Sequence, residues 1–168
     1  LRILYVVLPG LRWDWRPVMW AVAIVTMLGG AIVAITQTDI KRLLAFSSIA
    51  HAGFILAGVI ATTPDGVSSV LFYLAAYSFV TIGAFAVVTL VRDAGGEATH
   101  LSNWAGLGRR SPLLAAVFEL FLLAFAGIPL TSGFTGKFAV FQAAAEGGAT
   151  PLVIVGVLSS AVAAFFYI

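Results

Sequence analysis

The chain has 168 residues, 61% hydrophobic and 10% charged, with nine Lys and Arg against seven Asp and Glu. Soluble domains carry about 25% charged residues, so the composition excludes a soluble globular protein. A net charge of +2 with no basic cluster excludes a nucleic-acid surface, and the absence of cysteine excludes disulfides, thiolate metal ligands and thiol catalysis. What remains is an all-α fold, a polytopic bundle of transmembrane helices in contact with the lipid bilayer.

Residues 1–8 close an apolar helix that Pro9 and Gly10 stop. Trp13, Trp15 and Trp20 around the following link fit an interfacial aromatic belt. Residues 17–37 form an uncharged second span, with Pro17 suited to its first turn and Gly29 and Gly30 allowing close helix contact. Asp39 caps a third span, 39–61, that opens on Lys41 and Arg42. Asp65 and Gly66 mark a turn before a fourth span, 67–91, whose polar side chains include Tyr73, Tyr77, Ser78 and Thr81. In the polar link 92–111, the stretch LSNWAGLG suits a short interfacial helix. A long apolar segment, 112–145, and a last span, 151–168, complete the chain, and both ends fall inside apolar runs. The chain therefore reads as a single membrane domain, 1–168, that is a portion of a longer protein.

Segment 112–145 organises the rest. As one helix at about 1.5 Å per residue it would reach roughly 50 Å, against a hydrocarbon core of roughly 30 Å. Gly127, Pro129, Gly133 and Gly136 interrupt it near 127–136, because Pro removes a backbone donor and Gly weakens a helix. Irregular backbone at membrane depth is tolerated only where protein or a water-filled cavity surrounds it, so the break predicts an interior polar path. Lys137 follows the break directly. A lysine at the bilayer centre costs about 2.5–3.5 kcal/mol and usually serves an ion or proton route; the alternative is an amine that snorkels to the headgroups.

The other candidates are the remaining polar groups within spans. His51 lies ten residues into the third span with Ser47 and Ser48 one turn before it, and imidazole is the side chain best suited to passing protons near neutral pH; the alternative is a histidine that only packs between helices. Lys41 lies either on a proton approach or at an ordinary cytoplasmic span start. Glu119 is a proton site, the partner of a basic residue, or an interfacial group on a tilted helix. Lys137, His51 and Lys41 joined by water could pass charge laterally through the membrane. GFTGKF lacks phosphate-loop spacing, two histidines make no metal or haem pair, and no cofactor site is expected in the chain. If links alternate sides, Arg12 and Arg16 face Lys41, Arg42, Arg92, Arg109 and Arg110, and five against two puts the second group in the cytoplasm.

TDIKRLLAFSSIAHAGF at 38–54 and AGIPLTSGFTGKF at 126–138, with FYLAAYSFVTIGAFAVV at 72–88, resemble the antiporter-like membrane subunits of proton-pumping NADH:quinone oxidoreductase, respiratory complex I. The resemblance is closest to the N subunits, the counterparts of mitochondrial subunit 2, where a lysine is typical of the second block. It implies two inverted repeats, each with a broken helix, of which this chain holds the later part. It further implies a non-redox role within an NADH:quinone oxidoreductase in a bacterial plasma membrane, with other membrane-arm subunits as partners. Lys137 would match the lysine of the second broken helix, and His51 and Lys41 polar residues of the central axis and its cytoplasmic approach. Subunits of multisubunit sodium/proton antiporters share the signature and form the alternative, with a purely structural membrane subunit as a third reading.

Overall fold

The computed structural model describes residues 3–93 and 95–167; Leu1 and Arg2 of the first expected span and Ile168 of the last lie outside them. A π turn, Ile3–Val7, and a 3₁₀ turn, Pro9–Leu11, lead into α1 (Arg12–Ile35), followed by α2 (Ile40–Ala61) and α3 (Pro64–Leu90). The two-residue strands β1 (Arg92–Asp93) and β2 (Gly96–Glu97), a 3₁₀ turn at Leu101–Trp104 and α4 (Leu107–Arg110) fill the long link. Two half-helices, α5 (Pro112–Ala126) and α6 (Ser132–Glu146), precede α7 (Thr150–Tyr167). Four of these helices, α1, α2, α3 and α7, are each long and apolar enough to cross a membrane.

Three local features differ from the sequence expectation. Helix α1 starts at Arg12, not at 17, so Pro17 lies inside the helix and has no N–H to give the carbonyl of Trp13; Asp14 in the first turn complements the helix dipole there. Asp65 and Gly66 belong to the first turn of α3, because the Thr63 side chain accepts from the Gly66 N–H and Pro64 takes the first helical position. Residues 101–108 do not make one interfacial helix: Gly106, at φ +76°, separates the 3₁₀ turn from α4.

The two ends of the bundle are fixed by contacts between links. At one end the Ile40 N–H donates to Thr99 O at 2.8 Å, the Leu101 N–H donates to Thr38 O at 2.9 Å, and Lys41 pairs with Glu97. At the other, the Arg16 guanidinium donates to Gly147 O at 2.6 Å, and a Cβ on Gly147 would stand 2.6 Å from Ala61 O. Helix α5 thus starts at the Lys41 end and α6 finishes at the Gly147 end, so the half-helices together cross once.

Helix α2 runs through the centre of the bundle, and its N-cap Asp39 accepts from the Arg42 N–H at 3.0 Å. That bond holds the Asp39 carboxyl below its usual 3.8. Close approach of α1 rests on Gly30, where a Cβ would lie 2.6 Å from the Ala50 nitrogen, whereas Gly29 faces open space. Two apolar clusters form. One gathers Leu43, Leu44, Val87, Val88, Phe118 and Phe125 toward the Lys41 end. The other gathers Met27, Phe54, Ile60, Val70, Val140 and Leu152 toward the Gly147 end. On α2 the polar pair Ser47 and His51 falls between the two clusters, both side chains buried.

Candidate functional site

Helix α5 ends in a Schellman turn. Gly127, at φ +80°, gives its N–H to Ala124 O at 3.2 Å and the Ile128 N–H goes to Leu123 O at 3.2 Å, the pairing expected when glycine supplies the left-handed residue after a helix. The carbonyls of Phe125 and Ala126 are left over. Helix α6 restarts from Thr131, whose side chain accepts from the Phe134 N–H at 3.3 Å. Between them Leu130 carries φ +78° and is fully exposed.

Side chains on a helix lean toward its N-terminus, and Lys137 on α6 therefore reaches back over the break. Its Nζ donates to Phe125 O at 2.8 Å, to Ala126 O at 2.9 Å and to Ser160 Oγ of α7 at 2.8 Å. It also lies 5.1 Å from the centre of the Phe54 ring. The side chain is only 5% exposed, so the amine does not snorkel. Two of its three acceptors belong to a helix C-terminus, which carries partial negative charge. Gly127 leaves no room for more: a Cβ there would sit 2.9 Å from Lys137 Cδ and 3.0 Å from Nζ.

His51 stands at the middle of α2, about 16 Å along the helix from Ile40. Its Nδ1 is 2.6 Å from the Tyr73 hydroxyl, and its Nε2 is 3.4 Å from the Tyr167 hydroxyl. Tyr167 in turn donates to Ser47, while Tyr77 donates to Ser48 Oγ at 2.7 Å and Ser48 donates to Leu44 O at 2.9 Å. Gly136 provides the space for the Tyr73 ring, into which a Cβ would run. The Phe125 ring packs 5.6 Å from His51, so one residue offers its carbonyl to Lys137 and its ring to the histidine.

The structure thus brings Lys137 and His51, both buried, against the same two residues, Phe54 and Phe125, with buried Ser47 and half-buried Ser48 bonded to the tyrosines around the histidine. It does not bring Lys41 or Glu119 there. Lys41 pairs with Glu97 at the bundle end, with both side chains more than a third exposed, because the β1–β2 hairpin folds back over the start of α2. Glu119 points outward from α5 and lines a groove with Trp104, Phe118 and Phe166. Sequence reasoning noted Tyr73 and Tyr77 without giving them a role and missed Tyr167 and Ser160. The i, i+4 spacing of the two tyrosines, which puts them on one helix face, is the signal that could have found the first pair. Among the described residues no group of three or more His, Cys, Asp or Glu could hold a metal ion.

The sequence and the fold both have known counterparts. Residues 1–163 match the family described as NADH:quinone oxidoreductase/Mrp antiporter, TM. The chain is 88% identical over all 168 residues to NADH-quinone oxidoreductase subunit N 3 of Streptomyces griseus, covering 30% of that protein. It is 73% identical to NADH-quinone oxidoreductase subunit N of Rhodococcus opacus, covering all of this chain and 31% of that one. It therefore spans about a third of the length of these relatives. A chain of respiratory complex I from Thermus thermophilus with bound Aureothin superposes with a TM-score of 0.79 at 32% identity, over 90% of this chain and 34% of that one. A chain of the Mrp complex from Dietzia sp. DQ12-45-1b gives 0.87 at 30% identity, over 99% and 31%. With a broken helix, a buried lysine at the break and a family match over nearly its whole length, the chain belongs to the NADH:quinone oxidoreductase/Mrp antiporter transmembrane family.

Proposed function

We propose that the chain is the later part of an N-type membrane-arm subunit that carries protons across a bacterial plasma membrane within an NADH:quinone oxidoreductase complex. In this role the subunit holds no redox centre or cofactor in this chain and works beside other membrane-arm subunits, the Lys41 and Arg110 end facing the cytoplasm. The observation that carries the reading is the buried amine of Lys137, bonded at 2.8 and 2.9 Å to the end carbonyls of a broken helix and sharing Phe125 with His51. Fixed residues of this kind usually mark a proton or ion route. Electron transfer elsewhere in the complex would change charge or hydration around these residues, so that the proton held by Lys137 and His51 loads from one side and leaves to the other.

The superposition on an Mrp chain supports a second reading, a subunit of a sodium/proton antiporter. Identity of 88% over the whole chain to a protein named as a subunit N weighs toward the first. Lys137→Met in the full-length subunit, assembled in its complex in membrane vesicles, tests both. NADH-driven acidification is expected to fall strongly with assembly retained and no dependence on sodium. Normal acidification by the variant would refute a proton route through Lys137, and a sodium requirement would favour the antiporter.

A further inference from the structure

The three hydrogens of a lysine ammonium find three acceptors at Lys137, and the three are not equivalent. Phe125 O and Ala126 O can only accept, whereas the Ser160 hydroxyl can accept or donate. A neutral amine keeps two N–H groups and gains a lone pair. The two carbonyls still take the two N–H groups, and the lone pair then needs a donor, which only Ser160 can supply by turning its O–H inward. Without that hydroxyl, loss of the proton would leave a buried polar atom unpaired, which costs about 1–3 kcal/mol.

Ser160 also differs in position. Lys137 is buried, but Ser160 is half-buried, and both line a groove of ≈ 410 Å³ between the helix break and α7, walled by Gly127, Pro129, Phe134 and Ala164. From this geometry we propose that Ser160 is the relay through which Lys137 exchanges its proton with water in that groove. The Lys137 N–H aimed at Ser160 passes its proton to Oγ as the hydroxyl proton of Ser160 leaves to a groove water, which becomes hydronium. The O–H of Ser160 then points at the amine, so every hydrogen and lone pair is accounted for, and the reverse transfer reloads the lysine. The inference rests on the proton-carrying role proposed above for Lys137.

Two variants of equal shape isolate the hydroxyl. S160T keeps it and S160V lacks it, and both are made in the full-length subunit of the assembled complex and compared with K137M for NADH-driven proton translocation. S160T is expected within about twofold of the parent, and S160V slowed by about a hundredfold, the low end for loss of a positioned proton-transfer group. Because proton transfer at Lys137 then limits the rate, S160V should slow further in D2O, whereas a packing defect would leave the isotope effect unchanged. Equal rates for S160T and S160V, or an unchanged isotope effect, would overturn the relay while a defective K137M left the broader reading standing. Normal translocation by all three variants would remove both.

Discussion

Gly127→Ala separates two demands that the helix break places on one residue. The first is backbone conformation: Gly127 holds φ +80°, and a residue with a Cβ in that left-handed region loses about 1–2 kcal/mol. The second is space. The new Cβ would lie 3.0 Å from Lys137 Nζ, and ordinary contact begins at 3.4 Å, so the amine must retreat by 3.4 − 3.0 = 0.4 Å. Moving Nζ that far from Phe125 O stretches a 2.8 Å bond toward 3.2 Å, the upper limit for an N–H···O bond, and weakens a charge-assisted contact worth about 1.5–3 kcal/mol. The two effects together put the loss at about 2–4 kcal/mol. Gly148→Ala is the internal control, since Gly148 has φ +77° with nothing within 4 Å of its would-be Cβ and should lose only the conformational part, about 1–2 kcal/mol. Unfolding of the solubilised full-length complex would give the stabilities, and vesicle acidification the transport. G127A is expected to be the less stable of the two and the only one to impair proton translocation. Equal stability loss with equal, normal transport would refute the idea that Gly127 sets the seat of the lysine.

Other substitutions probe separate parts of the same account. Asp39→Ala should cost about 1 kcal/mol by loss of the α2 cap. Because the Arg42 N–H lowers the Asp39 carboxyl below its ordinary 3.8, the stabilisation is present above that value and fades as pH falls through the lowered one, so parent and variant should converge in acid unfolding titrations. Leu130→Gly should stabilise by about 1 kcal/mol, since Leu130 sits at φ +78° with its side chain fully exposed; a destabilised variant in thermal unfolding would mean that this leucine packs against something outside the chain. Lys41→Ala should change stability by less than about 1 kcal/mol, as its pair with Glu97 is more than a third exposed, and should leave proton translocation intact if its role ends at that surface pair.

The break, the buried lysine and the helix cap were legible because each is written locally. Gly127 and Pro129 cannot continue a helix, Asp39 precedes an apolar run, and Lys137 has no acidic neighbour in sequence to pair with it. The partners of Lys137 were not legible. Ser160 lies 23 residues further on and meets the amine only because α7 folds back along the break, and the acceptor carbonyls carry no sequence signature at all. The same holds for Tyr167, 116 residues from His51. Lys41 misled in the opposite direction: its place at a span start was plain, but the hairpin that supplies Glu97 is fixed by backbone bonds such as Ile40 N–H to Thr99 O, which no periodicity announces. Proline is usual at a helix start, but the 3₁₀ turn at Pro9–Leu11 feeds the chain directly into α1 and leaves Pro17 inside it.

The outer ends of the two half-helices are moored to different parts of the bundle. Helix α5 is tied at its start to the hairpin end, where Trp104 packs 4.6 Å from Phe118, and α6 is tied at its finish through the Arg16 guanidinium to α1. The join between them is a five-residue bend spanned by the Lys137 ammonium and by the close approach of Gly133 to the Ala124 backbone. Displacing one half against the other would stretch the Lys137 contacts to Phe125 O and Ala126 O, so the geometry of the break and the seat of the charge move together.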